Sequence, residues 1–301
     1  RHRRTTAPQA IGVAPTDLRS AGRQDGRTAG NSRNDGPVET VVTPEPSPVP
    51  AASSAPGRLR IDVWSDVVCP WCHLGLTYLH RALDEFEHAD RVDVVLRSYQ
   101  LDPTAPVRDD VPLVTRLARK YGTSEEQVAR SQDRLRALGA EVGIDFRFDL
   151  TARGNTFDAH RLLHLADRHQ LRPALEDRLF RAYFTDGEVV GDTDTLRRLG
   201  TEVGLPADEV DRVVAGEHHA DDVRADLDEA HRRGITGVPF FLFDDDLGLP
   251  GAQAPDRMLR VLRTVWADRH LGPSVAEDAT DPTVQAGGPE LDVCGPEGCA
   301  V

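Results

Sequence analysis

The 301-residue chain has only four cysteines and one methionine, and aromatic side chains make up 5% of it. It also lacks positive charge: 36 Lys and Arg face 50 Asp and Glu, a formal net charge of −14. That balance excludes a nucleic-acid or anionic-membrane surface, since both need a basic footprint. No apolar run approaches the ~18 residues that a membrane helix requires, and the most hydrophobic stretch, "PFFLF" (239–243), is strand-sized. Near the N-terminus there is no apolar h-region; "AIGVA" (10–14) is too short. The expected setting is therefore cytoplasmic, where cysteine pairs are more often catalytic or metal-binding than structural. The chain begins at Arg1 rather than methionine, so an export signal upstream stays open.

What remains divides into three parts. Residues 1–57 are rich in Pro, Ser, Thr, Gly and Ala without apolar periodicity, which is expected of a solvated tail. Residues 271–301 form a second such segment, acidic and without a Lys or Arg. Between them, "RLRIDVWSDVVCP" reads as a strand delivering the chain to Cys69. "HLGLTYLHRALDEF" carries Leu76, Leu79, Leu83 and Phe86 at helical spacing. "RVDVVLRSYQL" (91–101) is a second strand. A mostly helical block follows, with a capping box at Thr123-Ser124-Glu125-Glu126 and helices over 155–169, 174–184, 195–203 and 218–233. Residues 234–252 give two short strands around the acidic turn Asp244-Asp245-Asp246, and 254–269 a closing helix. The order β-α-β, helices, β-β-α is that of an α/β layer interrupted by a helical insertion. It divides the chain at 58–103, 104–233 and 234–270.

The four cysteines fall into two pairs, Cys69-Pro70-Trp71-Cys72 and Cys294–Cys299. Cysteines three apart on the first turn of a helix face the same way and are close enough for a disulfide. The unsatisfied N–H groups and partial positive charge of the helix N-terminus favour a thiolate there. Cys69 is accordingly expected as nucleophile and Cys72, one turn in, as the resolving thiol that breaks a mixed disulfide. Pro70 and Trp71 lie between the thiols, where they tune the redox poise and meet substrate. His73 stands as either a thiolate-stabilising cation or a bystander. The competing reading is a zinc site that joins Cys69 and Cys72 to Cys294 and Cys299. The strand-to-helix context favours redox chemistry instead.

With the motif in that context, "DVVCPWCHLG" resembles the active-site segment of the DsbA-like thioredoxin-fold oxidoreductases of the FrnE type. These are related to 2-hydroxychromene-2-carboxylate isomerase and the kappa-class glutathione transferases. The similarity spans roughly 58–270, and "NTFDAHRLLHLA" (155–166), "RRGITGVPFFLF" (232–243) and "GAQAPDRML" (251–259) carry the rest of it. The resemblance implies a thioredoxin fold with a large all-helical insertion between its β-α-β and β-β-α halves. It implies dithiol–disulfide exchange with protein thiols and disulfides or glutathione-like small thiols, an unassigned redox partner, and no bound metal or organic cofactor. It also implies a cis Val238-Pro239 bond beside the thiols, with the Val238 backbone meeting an extended substrate, and an accessory C-x4-C pair, here Cys294 and Cys299.

Two departures stand out. The buried acid that such proteins often carry six residues before the nucleophile is Val63 here, and Asp66 is the nearer acid. The glutathione-dependent isomerase branch typically has serine where this chain has Cys69. That isomerase or transferase activity and a zinc-binding or holdase-like role are the alternatives. Within the insertion, Asn155 and His160 are candidate substrate-cleft residues. Helix capping by Asn155 and core packing by His160 stand beside that reading.

Overall fold

The computed structural model of the chain describes residues 57–271, apart from positions 110 and 153. Strand β1 (Leu59–Ser65) is central in a four-stranded sheet of order β2-β1-β3-β4, formed with β2 (Val92–Ser98), β3 (Phe240–Phe243) and β4 (Leu247–Pro250). β1 and β2 run parallel, which requires a crossover, and α1 (Pro70–Asp84) supplies it. β3 and β4 are antiparallel, with Val63 opposite Phe241 and Phe241 opposite Leu249. The turn between them, Asp244-Asp245-Asp246, uses positive φ at Asp244 and Asp245, 48° and 62°, which Asp tolerates.

Between β2 and β3 lie the helices α2 (Leu113–Tyr121), α3 (Glu125–Val142), α4 (Phe157–Arg168), α5 (Arg172–Phe184), α6 (Thr193–Glu202), α7 (Ala207–Ala215) and α8 (Ala220–Arg232). α9 (Pro255–Leu271) closes the fold and packs on α1. The expected order of halves and insertion is the observed one. α2 and α7 are short amphipathic helices not among those expected individually.

Two boundaries move for identifiable reasons. The first strand ends at Ser65 rather than running to Cys69, because Asp66 turns the chain. Its carbonyl accepts from Cys69 N at 3.0 Å, and its Oδ2 accepts from Leu101 N at 2.8 Å. The capping box sits one residue later than expected: Ser124 Oγ accepts from Gln127 N at 3.2 Å, and Gln127 Oε1 accepts from Ser124 N at 3.1 Å.

The two faces of β1 have different partners because successive side chains alternate. Ile61 and Val63 are fully buried in the apolar core. Asp62 and Trp64 face the insertion: Asp62 accepts from Arg97 Nε at 2.8 Å, and Trp64 Nε1 donates to Asp226 O of α8 at 3.2 Å. Asp226 also accepts from Arg97 Nη1 at 3.0 Å and from Ser98 N at 2.9 Å. His164 Nε2 of α4 lies 3.1 Å from Asp226 Oδ2. Burial pushes the Asp226 carboxyl up, but these donors prevail and hold it below its ordinary value. One buried carboxylate thus ties α8, α4 and β2 together.

Candidate active site at the start of the first helix

Cys69 is the N-cap of α1, with extended backbone (φ −97°, ψ 113°), and Pro70 takes the first helical position. Proline suits that position because its missing N–H would be unpaired there anyway. The carbonyl of Cys69 accepts from Cys72 N at 3.0 Å, so the two thiols share the first turn. Both are free thiols with no exposed surface. Trp71, between them, is half-buried and packs against the core.

Opposite the thiols runs the segment that leads into β3. Val238-Pro239 is a cis peptide bond, as the resemblance implied. Cys69 Sγ donates to Val238 O at 3.5 Å, which places the nucleophile candidate directly against this loop. Gly75, nearly two turns past Cys69 along α1, lets the helix approach this loop closely. A Cβ there would stand 2.9 Å from Pro239 Cγ and 3.3 Å from Phe241 Cζ. Sequence reading passed over Gly75, whose only signal was a glycine inside an otherwise apolar helix.

A cavity of about 180 Å³ lies beside the motif, lined among others by Asp66, Val68, Pro70, Arg116, Lys120 and Tyr121. Val68 and Pro70 flank Cys69 in sequence. Tyr121, at the end of α2, is close enough to feel its charge: burial, and then the Cys69 sulfur, push the Tyr121 hydroxyl up to about 12. The cavity thus presents an apolar wall, two cations, the carboxylates of Asp66 and Asp102, and a phenol beside the residues that flank the first thiol. Nothing in the sequence singled out Arg116, Lys120 or Tyr121, because they reach the site only through the docking of α2.

Cys72 lies deeper. Burial raises its thiol well above the ordinary value and Cys69 raises it further, while the Asp66 amide and the Ser65 hydroxyl act in the opposite sense. His73, the next residue, is buried and stacked on Phe180, with ring centroids 4.6 Å apart and 3° between planes. Burial drives its pKa down to about 4. It is therefore neutral near pH 7 and is not a cation available to a thiolate.

The insertion's candidates fall behind the cavity rather than on its wall. Asn155 pins a loop: its amide donates to Pro103 O at 3.1 Å and Ala105 O at 3.0 Å, and its Oδ1 accepts from Phe157 N at 2.9 Å. That last bond closes a turn just ahead of α4, whose N-cap is Thr156. His160 is 1% exposed and stands 3.4 Å from Asp66 Oδ1. Asp66 itself is buried, so the acid nearest the motif is no surface residue. Cys294 and Cys299 lie outside the described residues. Among the described residues, no group of three or more His, Cys, Asp or Glu is placed to hold a metal ion, and no helix is long and apolar enough to cross a membrane.

A parallel β-α-β unit and an antiparallel β-β-α unit in one sheet, with a cis-proline loop facing the start of the first helix, define a thioredoxin fold. The all-helical insertion between the units narrows the class. The chain belongs to the DSBA-like thioredoxin family, whose sequence profile matches residues 60–263. It is 41% identical to a protein described as "probable DsbA oxidoreductase" from Streptomyces coelicolor. Their structures superpose with a TM-score of 0.67 over 70% of this chain and 91% of the other. It is also 26% identical to the uncharacterized Bacillus subtilis protein YwbO, over 66% of this chain and 92% of that one. The fold is shared with 2-hydroxychromene-2-carboxylate isomerase, at 13% identity and a TM-score of 0.51, over 68% of this chain and 93% of the other.

Proposed function

We propose that the protein is a thiol–disulfide oxidoreductase in which Cys69 and Cys72 form the exchanging dithiol. The observation that carries this reading is the placement of Cys69. It caps α1, its sulfur meets the Val238 carbonyl across the cis-proline loop, and the second thiol sits one turn behind it. Cys69 attacks a substrate disulfide and forms a mixed disulfide. Cys72 then attacks the Cys69 sulfur and releases the substrate as a thiol; the reverse sequence oxidises a dithiol. Substrate reaches Cys69 by way of the adjoining cavity, with Tyr121 as its displaceable wall and Arg116 and Lys120 attracting acidic groups of a peptide or of a small thiol such as glutathione. Pro70 lines the cavity, Trp71 lies between the thiols, and Val238 and Pro239 meet substrate from the cis-proline loop that faces Cys69. Cys294 and Cys299 act as a second dithiol that recharges the first.

Reduction of insulin disulfides by dithiothreitol is the direct assay. The wild type accelerates it, the Cys69→Ser variant leaves only the uncatalysed rate, and the Cys294→Ser/Cys299→Ser variant keeps the dithiothreitol-driven rate, because the small reductant bypasses the tail. Undiminished activity in Cys69→Ser refutes the dithiol assignment. Loss of activity in the tail variant refutes a role confined to recharging.

A further inference from the structure

The resolving step needs a base. Cys72 is fully enclosed and its thiol is held in the protonated form by burial. It must nevertheless become a thiolate before it can attack the mixed disulfide. The position that often supplies a carboxylate on the first strand is Val63 here, which is apolar and buried.

Two residues along, on the same face of β1 and nearer the thiols, is Ser65. Its hydroxyl is buried and lies beside both Cys72 and Glu176, lowering the pKa of each, yet it forms no hydrogen bond within ordinary limits to either. Glu176, on α5, is 3% exposed and its Oε2 has no hydrogen-bond partner. An acid buried with an open oxygen is costly unless something uses it.

Glu176 also borders a separate small cavity. This space, about 40 Å³, is lined among others by His73, Thr77, His80, Pro173, Glu176 and Phe180. It exceeds the roughly 10–15 Å³ that one water requires. Exposed His80 and Asp177 stand at its rim. Ser65 thus acts electrostatically on both Cys72 and Glu176, and Glu176 borders a hollow with exposed residues at its rim.

We propose that Glu176, acting through the Ser65 hydroxyl, takes up the proton of Cys72 during resolution and passes it to water in the small cavity. Glu176 is a positioning residue in this scheme, since it acts on the reacting thiol only through Ser65. The proposal rests on the dithiol reading above. The Cys69 thiolate attacks a disulfide R–S–S–R, giving Cys69–S–S–R and RS⁻. The Cys72 proton moves to Ser65 Oγ as the Ser65 proton moves to the Glu176 carboxylate, leaving a Cys72 thiolate. That thiolate attacks the Cys69 sulfur; the Cys69–Cys72 disulfide forms and a second RS⁻ leaves. Two electrons have passed to the substrate, and the proton on Glu176 leaves by the cavity. In the oxidising direction the same path returns it.

The groups facing Glu176 suit an exchangeable proton. Burial raises its carboxyl above the ordinary value, Arg172, Ser65 and His160 draw it down, and Asp167 raises it. His73 of α1 faces the same cavity and is neutral at pH 7. Arg172 is committed to Asp167 by a 2.6 Å bond, so Glu176 is not locked into a dedicated ion pair.

The aromatic disulfide 5,5′-dithiobis(2-nitrobenzoate) separates the steps, because each released thiolate absorbs. In the Cys294→Ser/Cys299→Ser background, which removes the tail thiols and serves as the wild-type reference here, a first phase reports attack by Cys69 and a second reports resolution by Cys72. In Glu176→Gln the second phase should slow relative to the first by on the order of 100-fold near pH 7. It should also become steeply dependent on hydroxide, where the wild type is flatter, and Glu176→Asp should recover part of the loss. Ser65→Ala should show the same selective loss and Ser65→Thr much less, which decides the matter if Glu176→Gln does not fold. An unchanged ratio and pH profile in Glu176→Gln and Ser65→Ala overturns the relay. Absence of the first phase in the wild type overturns the dithiol reading itself.

Discussion

At the scale of single residues, the site works by contrast between adjacent positions. Cys69 meets the cis-proline loop and a cavity wall, Cys72 is sealed behind it, and His73 turns away from both to stack on Phe180. His73 makes a measurable prediction about the fold. Its pKa is depressed to about 4, with burial the cause. Between pH ~6.5 and ~4 the unfolded chain takes up a proton that the native ring refuses, so stability is lost as pH falls through that window. The loss is up to about 3 kcal/mol once the pH is near 4. His73→Phe, which keeps a planar ring against Phe180, should flatten that part of the stability curve in urea melts at pH 4.5 and 7. An equally steep curve in the variant would mean that another group carries the acid sensitivity.

Legibility at this scale depended on how local the signal was. The Cys-x-x-Cys spacing and the strand-to-helix context lie within ten residues, and the Val-Pro step precedes an apolar strand. Glu176 was harder to see. In "ALEDRLFRAYF" it looks like one of two surface acids. Its spacing from Leu179, Phe180 and Tyr183 nevertheless puts it on the apolar stripe of α5, and Asp177 on the wet side. That mismatch between residue type and face was the available clue. Ser65 and Tyr121 offered none, because they become special only when the insertion docks.

Among elements, the decisive contact is between the insertion and the sheet. His160 and His164 sit one turn apart on α4, a spacing open to several readings, and the structure gives each its own acid. His160 stands against Asp66 beside the motif, and His164 against Asp226 of α8. Arg97 of β2 bridges Asp226 to Asp62 of β1. Removing the carboxylate leaves Arg97 and His164 without their shared buried partner, and such a loss typically costs about 3–5 kcal/mol. Because Arg97 is a third exposed and partly solvated, Asp226→Asn should fall toward the low end, about 3 kcal/mol, read as a shift in the urea midpoint. A change below about 0.5 kcal/mol would show that the Asp226 cluster does not anchor the insertion. Sequence periodicity found α4, α5, α6 and α8 within a few residues. It missed α2, a nine-residue helix behind a proline-containing loop, and with it one wall of the cavity beside the motif.

For the whole molecule, the β-α-β, helical, β-β-α order could be read directly, since hydrophobic periodicity changes from two to three-and-a-half at each boundary. The insertion's docking could not be read, because it is fixed by buried polar pairs far apart in sequence. That docking gives the proposed chemistry its asymmetry. The larger cavity is lined by Val68 and Pro70, which flank Cys69, and the smaller one by Glu176. In the proposed scheme substrate uses the first of these and the proton the second. The net charge of −14 favours substrates drawn by local cations such as Arg116 and Lys120 over any broad attraction to acidic partners.

The division of labour between the sulfurs is open to one direct measurement. Oxidised glutathione is added to the Cys72→Ser and Cys69→Ser variants, and the adducts are located by mass spectrometry of the intact and digested protein. Cys72→Ser should accumulate one glutathione per chain on Cys69, since the thiol that resolves the mixed disulfide is gone, and Cys69→Ser should stay unmodified at Cys72. An adduct on Cys72 in the second variant, or none on Cys69 in the first, would contradict the assignment of Cys69 as nucleophile.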